Sequence, residues 1–321
     1  MPATDHLVRR LRGTVLPAVL TPMDAGGVVD VDALRGYAER VAAGPIGGVA
    51  VWAHTGRGLY LREADRLRVL GTWRAAVDGP LVAGAGVPRS VRATGLRAAV
   101  DATVAMAVQA AEGGADAVMV YPLAQLDGDD EAAVALHEEV AAASGLPVLG
   151  FLLHGEAGGY PYSPQLVTRL LALPASAGIK LATLDRAVAC QDAIRAAHPG
   201  RKLVITGEDR MFGPSLMWGA DTALVGIAAA RVPLTSAVLD AWRAEDHGGF
   251  VRASARLDAF AAATFRAPIE GYVQRMLWAA AWEGLIPEEV AHDPYGPRLP
   301  SSEREAVVTC LEVLAQHADG P

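Results

Sequence analysis

The chain has 321 residues, of which 52% are hydrophobic and 6% aromatic, with a net charge of −8 and a mean hydropathy of +0.24. This length and apolar content allow one large domain or two smaller ones, each with its own core. No basic patch indicates nucleic-acid binding, no apolar run has membrane-spanning length, and the N-terminus lacks the apolar segment of a secretion signal, so we expect a cytoplasmic protein. Cys190 and Cys310 form no CxxC pair and predict neither a disulfide framework nor a zinc site.

Short apolar runs alternate with longer amphipathic stretches along the chain. Eight runs rich in β-branched and small residues predict strands at 15–20, 48–52, 81–85, 117–121, 147–152, 178–181, 203–206 and 223–227. The stretches between and after them predict helices at 31–41, 63–77, 100–112, 131–143, 164–171, 186–197 and 211–218. Strands that are each followed by a helix indicate a parallel sheet with helical crossovers.

This alternation spans residues 13–230, close to the roughly 250 residues of a typical (β/α)8 barrel. We therefore predict an α/β fold of the TIM-barrel class. A doubly wound open sheet is the alternative, and it is disfavoured because no Gly-x-Gly-x-x-Gly follows the first strand.

The pattern changes after the eighth strand. Only helices are predicted there, at 234–242, 247–264, 269–283 and 302–317, with prolines marking their boundaries. We divide the chain into a barrel, 1–230, and C-terminal helices, 231–321, which pack on the barrel or on a partner subunit.

Lys180 is the sharpest candidate for chemistry. It follows Gly178-Ile179 in the sixth predicted strand, and active sites of such barrels lie at the C-terminal ends of the strands. Of the 28 Lys and Arg residues only two are lysines, Lys180 and Lys202, and a position that stays Lys in so Arg-rich a chain indicates a need for an amine that can lose its proton. An apolar surrounding favours the neutral amine, which is the form that attacks a carbonyl carbon.

Several motifs in a fixed order carry a resemblance. They are Gly13-Thr14, Leu20-Thr21-Pro22, His54-Thr55-Gly56, Gly178-Ile179-Lys180, Gly207-Glu208-Asp209, Gly219-Ala220-Asp221 and Arg298-Leu299-Pro300. With this set the chain resembles the dihydrodipicolinate synthase/N-acetylneuraminate lyase family of class I, pyruvate-dependent aldolases. The resemblance implies that Lys180 forms a Schiff base with a 2-oxo acid and that Thr55 and Gly56 bind its carboxylate.

The chain departs from the family at four places. Phe151 stands where the family usually carries a proton-relaying tyrosine, and Leu123-Ala124 replaces a tyrosine pair that often completes a neighbouring subunit's site. Arg57 stands in place of the glutamate that closes the Thr-Thr-Gly-Glu loop. Glu156 falls near the arginine that binds a second carboxylate in the synthases, so Arg57 and Glu156 resemble a charge swap.

A missing tyrosine requires a substitute for proton transfer. We expect His54 in this role, because its pKa lies near neutrality, with Tyr121 and His154 as further candidates. Gly207 and Glu208, followed by Asp209, are candidates for binding substrate, although the two carboxylates also fit the N-terminal cap of a helix near Met211.

Aromatic residues near the second strand offer a surface for the aldehyde part of a substrate. Trp52 and Tyr60 are suited to stack on it, but core and interface positions are the more frequent ones for such residues. No metal-binding or nucleotide-binding motif is present, so we expect no metal and no cofactor.

The sequence thus predicts an aldolase-type lyase that acts on pyruvate or another 2-oxo acid and an aldehyde, and that is not the lysine-pathway synthase. Two alternatives stay open: a dehydratase of 2-keto-3-deoxy sugar acids, and a barrel that has lost catalysis and serves in binding or assembly. The resemblance implies a homodimer or homotetramer.

Overall fold

The computed structural model describes residues 3–197 and 201–316. Eight parallel strands run around a barrel, hydrogen-bonded in the order β1-β8-β7-β6-β5-β4-β3-β2. The strands are β1 Val15–Pro17, β2 Val49–Val51, β3 Leu81–Ala85, β4 Ala117–Val120, β5 Val148–Leu153, β6 Ser176–Ala182, β7 Leu203–Thr206 and β8 Thr222–Val225. Gly47 N donates to Val15 O and Val19 N donates to Ala50 O, each at 3.0 Å. These bonds join the β1 and β2 edges, and the predicted (β/α)8 barrel is confirmed.

Eight helices surround the strands. They are α2 Val31–Ala42, α3 Glu63–Ala76, α4 Leu96–Glu112, α5 Asp130–Ser144, α6 Pro164–Ala172, α7 Ala187–Ala197, α8 Phe212–Trp218 and α9 Val232–Arg243. Local chemistry sets several of their starts: Ser163 Oγ accepts a hydrogen bond from Leu166 N at 2.9 Å, and Pro164 occupies the first turn of α6. Helix α9 contacts β1 and α8, so it belongs to the layer of helices that surrounds the strands. The boundary at residue 230 stays a prediction.

One helix, α1 Ala3–Leu11, lies outside the predicted elements. Its Leu7, Val8 and Leu11 are buried in one cluster with barrel-interior residues such as Leu16 and Leu203. Thr222 Oγ1 donates to Leu11 O at 2.9 Å, next to the start of β8. Helix α1 therefore covers the N-terminal end of the barrel and leaves the other end for a site.

Three further helices follow the barrel: α10 His247–Thr264, α11 Tyr272–Trp282 and α12 Ser301–Gln316. Residue 317, the last of the predicted helix 302–317, lies outside the described residues. Arg275 is fully buried and holds the segment between α10 and α11 against α11. Its guanidinium donates to Arg266 O at 2.8 Å and to Ala267 O at 3.2 Å. Arg275 Nε also donates to Glu303 Oε2 at 2.8 Å. This anchoring holds the segment against the C-terminal end of the barrel.

None of the helices in the ranges given above is both long and apolar enough to cross a membrane.

Candidate active site

A pocket opens at the C-terminal ends of the strands. Residues from the loops after β2, β5, β6, β7 and β8, from strands β5 and β6, from the segment before α11 and from the first residue of α11 line it: His54, Thr55, Phe151, Leu153, His154, Lys180, Ala182, Leu184, Gly207, Glu208, Asp209, Arg210, Gly226, Phe265, Ile269 and Tyr272. Of the predicted site residues, Lys180, His54, Thr55, Gly207 and Glu208 lie here. Gly56 follows Thr55 in a short 3-10 turn, 54–56, and Tyr121 lines a different cleft.

Lys180 points into this pocket from the middle of β6. It is 6% exposed, and its Nζ lies 4.4 Å from the ring centroid of Phe151, its partner in register on β5. Burial lowers the pKa of Lys180, and the negative charges of Asp209 and Glu208 oppose this effect only in part. Lys180 therefore loses its proton to give the free amine more readily in this site than it would in water.

Gly207 makes room for the lysine side chain. A Cβ at this position would lie 2.4 Å from Lys180 Cε and 2.7 Å from Leu181 O, and both distances are too short for carbon. Gly207 N also donates to Leu181 O at 2.6 Å. A side chain at residue 207 would therefore displace the amine or open the β6–β7 edge.

The two acidic residues after Gly207 have different partners. Glu208 Oε1 accepts hydrogen bonds from Thr183 N at 2.7 Å and from Thr183 Oγ1 at 2.8 Å. Asp209 Oδ1 accepts from Ile227 N at 2.7 Å, and burial raises the pKa of Asp209. Helix α8 begins after Met211 without a side-chain cap, so the helix-cap interpretation of this acidic pair is wrong. The role of Glu208 in substrate binding stays a prediction.

His54 lies at the rim of the pocket in a charged network. Its Nε2 donates to Glu270 Oε1 at 2.9 Å, and Arg57 Nη1 donates to Glu270 Oε2 at 2.8 Å. Burial raises the pKa of Glu270, but the hydrogen bonds from His54 and Arg57 outweigh it and lower that pKa to about 2. Glu270 is therefore a carboxylate that orients the imidazole of His54.

The charge swap suggested for Arg57 and Glu156 takes another form. Arg57 bonds to Asp293 and Glu270, whereas Glu156 accepts hydrogen bonds from His154 Nδ1 and Arg186 Nη2, both at 3.1 Å. Each of the two residues is therefore paired with oppositely charged side chains: Arg57 with Asp293 and Glu270, and Glu156 with Arg186. Glu156 thus lies beside a cation, and its repulsion of a substrate carboxylate is weaker than the sequence suggests.

Thr55 meets a residue that sequence reasoning missed. Thr55 Oγ1 and the Tyr272 hydroxyl lie 3.1 Å apart and are both buried. The Tyr272 ring lies between those of Phe265, with centroids 4.6 Å apart, and His54, with centroids 6.0 Å apart. Burial holds the pKa of Tyr272 well above its usual value. A neutral phenol from the C-terminal helices thus reaches the lysine pocket.

Tyr121 occupies a different place from the one expected of a catalytic residue. Its hydroxyl donates to Trp52 O at 3.1 Å, and its ring packs edge-on against Phe151 with centroids 5.5 Å apart. The Phe151 ring contacts both Tyr121 and the Lys180 amine. The catalytic role of Tyr121 stays a prediction that this geometry does not favour.

The aromatic pair near β2 also differs from the aldehyde surface considered above. Trp52 is 1% exposed and its Nε1 donates to Arg66 O at 2.8 Å, while Tyr60 stacks on Tyr295. Neither ring lines the lysine pocket. The apolar lining comes from Leu153, Leu184, Phe265 and Ile269, together with Phe151.

The missed residues share one property. Phe265, Ile269, Glu270 and Tyr272 belong to the stretch read from sequence only as a helical extension. Sequence signals them only by two polar residues, Glu270 and Tyr272, near the start of a largely apolar helix, and these do not say which surface that end of the helix contacts.

Known proteins resemble this chain over most of its length. Residues 11–313 match the model of the dihydrodipicolinate synthetase family. A 4-hydroxy-tetrahydrodipicolinate synthase of Streptomyces coelicolor is 29% identical over 74% of this chain and 73% of its own. An uncharacterised DapA-like lyase of Halobacterium salinarum is 30% identical over 75% of each chain.

Solved structures agree in fold at lower identity. A sialic acid aldolase of Ruminococcus gnavus superimposes with a TM-score of 0.79 over 96% of this chain and 98% of its own, at 17% identity. With the family match spanning both the barrel and the C-terminal helices, this chain belongs to the dihydrodipicolinate synthetase family and is an enzyme of the lyase class.

Proposed function

We propose that the protein is an aldolase-type lyase in which Lys180 forms a Schiff base with pyruvate or another 2-oxo acid. The observation that carries this proposal is the buried amine of Lys180, which lies in a pocket at the strand ends and has a lowered pKa. A desolvated lysine is the nucleophile that imine-forming enzymes use.

The chemistry follows from the amine. Lys180 Nζ attacks the 2-oxo carbon, the carbonyl oxygen leaves as water, and a protonated imine remains. When the C3–C4 bond breaks, its electron pair moves toward the iminium nitrogen and the hydroxyl on C4 gives its proton to a base in the pocket, so an aldehyde leaves and an enamine stays on the enzyme. Protonation of the enamine at C3 and hydrolysis of the imine then release pyruvate and the free amine; the reverse order forms the bond.

The loop after β2 is the proposed carboxylate-binding element. The Thr55 hydroxyl faces the pocket, and Thr21 Oγ1 donates to Gly56 O at 2.8 Å, which fixes the loop. A Cβ on residue 56 would lie 2.6 Å from Val19 O, so Gly56 is required for this close approach. Gly207 and Glu208 border the same space, and Gly207 would bind only through its backbone.

The apolar wall indicates the partner of the 2-oxo acid. Leu153, Leu184, Phe265 and Ile269, with Phe151, form the apolar part of the lining of the lysine pocket. Such a wall suits an apolar or aromatic aldehyde better than one that carries a second carboxylate. We therefore propose that the protein is not the lysine-pathway synthase. The apolar lining and the phenylalanine at position 151 support this proposal, whereas Glu156, which is paired with Arg186, does not.

The other two functions have less support. A dehydratase of sugar acids needs polar groups for several hydroxyls, and Leu153, Leu184, Phe265 and Ile269 supply none. A non-catalytic barrel has no use for a lysine whose ammonium form is costly to bury. The aldolase is the reading that uses both the amine and the apolar wall.

A comparison of two aldehydes tests the proposed substrate class. The protein is incubated with pyruvate and either an aromatic aldehyde or aspartate semialdehyde, and product formation is followed by chromatography and absorbance. We expect condensation with the aromatic aldehyde and little formation of the heterocyclic product. Turnover of aspartate semialdehyde comparable to that of an ordinary synthase would overturn the proposed specificity. Light scattering tests the accompanying proposal of a homodimer or homotetramer.

A further inference from the structure

The proposed Schiff-base chemistry needs protons moved at two atoms. Attack by the amine leaves a positive nitrogen and a negative oxygen on the same carbon, and the oxygen then has to receive two protons before it leaves as water. Phe151, whose ring faces the Lys180 amine at 4.4 Å, has no proton to give. The group that moves these protons must therefore come from elsewhere in the pocket.

Two residues supply hydroxyl groups to the pocket among those the structure describes, and they are bonded to each other. Thr55 Oγ1 and the Tyr272 hydroxyl are 3.1 Å apart. Tyr272 is the first residue of α11, and its ring stacks against those of Phe265 and His54. The phenol is thus held in one orientation with its oxygen toward Thr55.

The surroundings leave little freedom for either hydroxyl. A Cβ on Gly226, in the loop after β8, would lie 2.9 Å from Thr55 Oγ1 and 3.4 Å from Tyr272 Cε2. The neighbouring Ile227 N holds the Asp209 carboxylate at 2.7 Å. The pair therefore lies close to the loop after β8 that binds the Asp209 carboxylate, whose charge acts on Lys180.

We propose that the hydroxyls of Tyr272 and Thr55 form the proton relay of this enzyme and take the place of the tyrosine missing at Phe151. The proposal rests on the Schiff-base function proposed above and adds a catalytic residue to it.

The steps balance without a charged tyrosine. The relay takes a proton from the attacking nitrogen and gives one to the alkoxide oxygen, which yields a neutral carbinolamine. The proton that Lys180 gave up on becoming the free amine then reaches the hydroxyl through the relay, the C–O bond breaks, water leaves, and the nitrogen lone pair forms the C=N bond while the nitrogen keeps its remaining proton. With Lys180 counted from its ammonium form, one ammonium and one carbonyl give one iminium and one water. The phenol is neutral before and after each transfer.

One consequence concerns the assembly. Tyr272 belongs to the same chain as Lys180, so the relay needs no side chain from a neighbouring subunit. The change to Leu123-Ala124 in this chain agrees with that independence.

Tyr272→Phe tests the proposal, because it removes the hydroxyl and keeps the stacked ring. The probe is pyruvate. The initial rate of borohydride-trapped adduct is measured by intact mass, and the exchange of the pyruvate methyl hydrogens in D2O by NMR. We expect both rates to fall by about 10²-fold, within the range for general acid–base groups, with pyruvate binding nearly unchanged. Tyr160→Phe, which removes the hydroxyl of a buried tyrosine outside the pocket, is the matched control and should leave both rates unchanged.

Thr55→Val probes the relay from its other end, also in case Tyr272→Phe does not fold. At saturating pyruvate, which offsets any weaker binding of the carboxylate, it should slow both rates similarly, and the double variant should be about as slow as the slower single variant, because the two hydroxyls act as a unit. Rates for Tyr272→Phe within threefold of the wild type, or effects that multiply in the double variant, would overturn the relay alone. If the wild-type protein forms no adduct at all, the Schiff-base function falls, and the relay falls with it.

Discussion

Arg57 and Asp293 form a buried ion pair across the mouth of the barrel. Arg57 Nη2 donates to Asp293 Oδ2 at 2.6 Å and Arg57 Nε donates to Oδ1 at 3.1 Å. The side chains are 1% and 0% exposed. The pair joins the loop after β2 to the segment after α11, and so fixes the C-terminal helices over the site.

Asp293→Ala should therefore destabilise the fold. Removing one partner leaves the Arg57 charge buried with Glu270 as its remaining counter-ion, and such losses cost about 3 kcal/mol or more. The free energy of unfolding, measured in urea, is expected to fall by that amount. Glu131→Ala, which removes an exposed partner of Arg169, is the control and should change it by less than about 1 kcal/mol. Equal small changes in both variants would show that the buried pair does not hold the mouth.

This ion pair also shows where prediction from the sequence ends. The strands at 81–85 and 203–206 were predicted to the residue, because short apolar runs between helical patterns are a local signal. The lysine was found in the same way, from its position in a strand. Arg57 and Asp293 are 236 residues apart, and nothing local to either residue names the other as its partner.

Tyr272 was missed for the same physical reason. Its neighbours in sequence predict a helix, but its partner Thr55 lies 217 residues away, and only the fold of the C-terminal helices brings them together. Helix α1 lies outside the predicted elements although its buried residues, Thr4, Leu7, Val8 and Leu11, recur at the spacing of an amphipathic helix.

His54→Ala tests the proton-transfer role assigned to that histidine. Glu270 orients the imidazole through a hydrogen bond of 2.9 Å, and His54 lines the lysine pocket, where we expect it to act on the oxygen of the aldehyde. We expect kcat for bond cleavage or formation to fall by about 10²-fold or more while pyruvate capture changes little. A variant with unchanged kcat and a raised KM would instead identify His54 as a binding residue.

Gly207→Ala tests whether activity requires the Lys180 amine to stay in its present position. The new Cβ would lie 2.4 Å from Lys180 Cε, which forces the amine out of position, and displacements of about 1 Å can cost 10²-fold in rate. The rate of adduct formation should fall by that factor. Gly155→Ala has no heavy atom within 4 Å of its added Cβ and should behave as the wild type. Full activity of Gly207→Ala would mean that the amine does not need its present position.

The pH dependence follows from the sign of the shift on Lys180. Burial lowers the pKa of Lys180 and the charge of Asp209 raises it in part. Adduct formation should increase with pH as the ammonium becomes amine, starting below the range of an ordinary lysine. Asp209→Asn removes the opposing charge, so its pH–rate profile should move to lower pH. Asp192→Asn, at an exposed residue of α7 paired with Arg195, should leave the profile in place, and a shift of the Asp209→Asn profile to higher pH would contradict the assignment.

The most direct test of the account is the identity of the lysine that pyruvate modifies. Wild-type protein is incubated with pyruvate and borohydride, digested, and mapped by mass spectrometry. We expect a stable three-carbon modification at Lys180 and none at Lys202, whose Nζ donates to Ser176 O at the opposite end of β6. Lys180→Met should abolish the adduct. A modification at Lys202, or no adduct with pyruvate and longer 2-oxo acids, would contradict the Schiff-base mechanism.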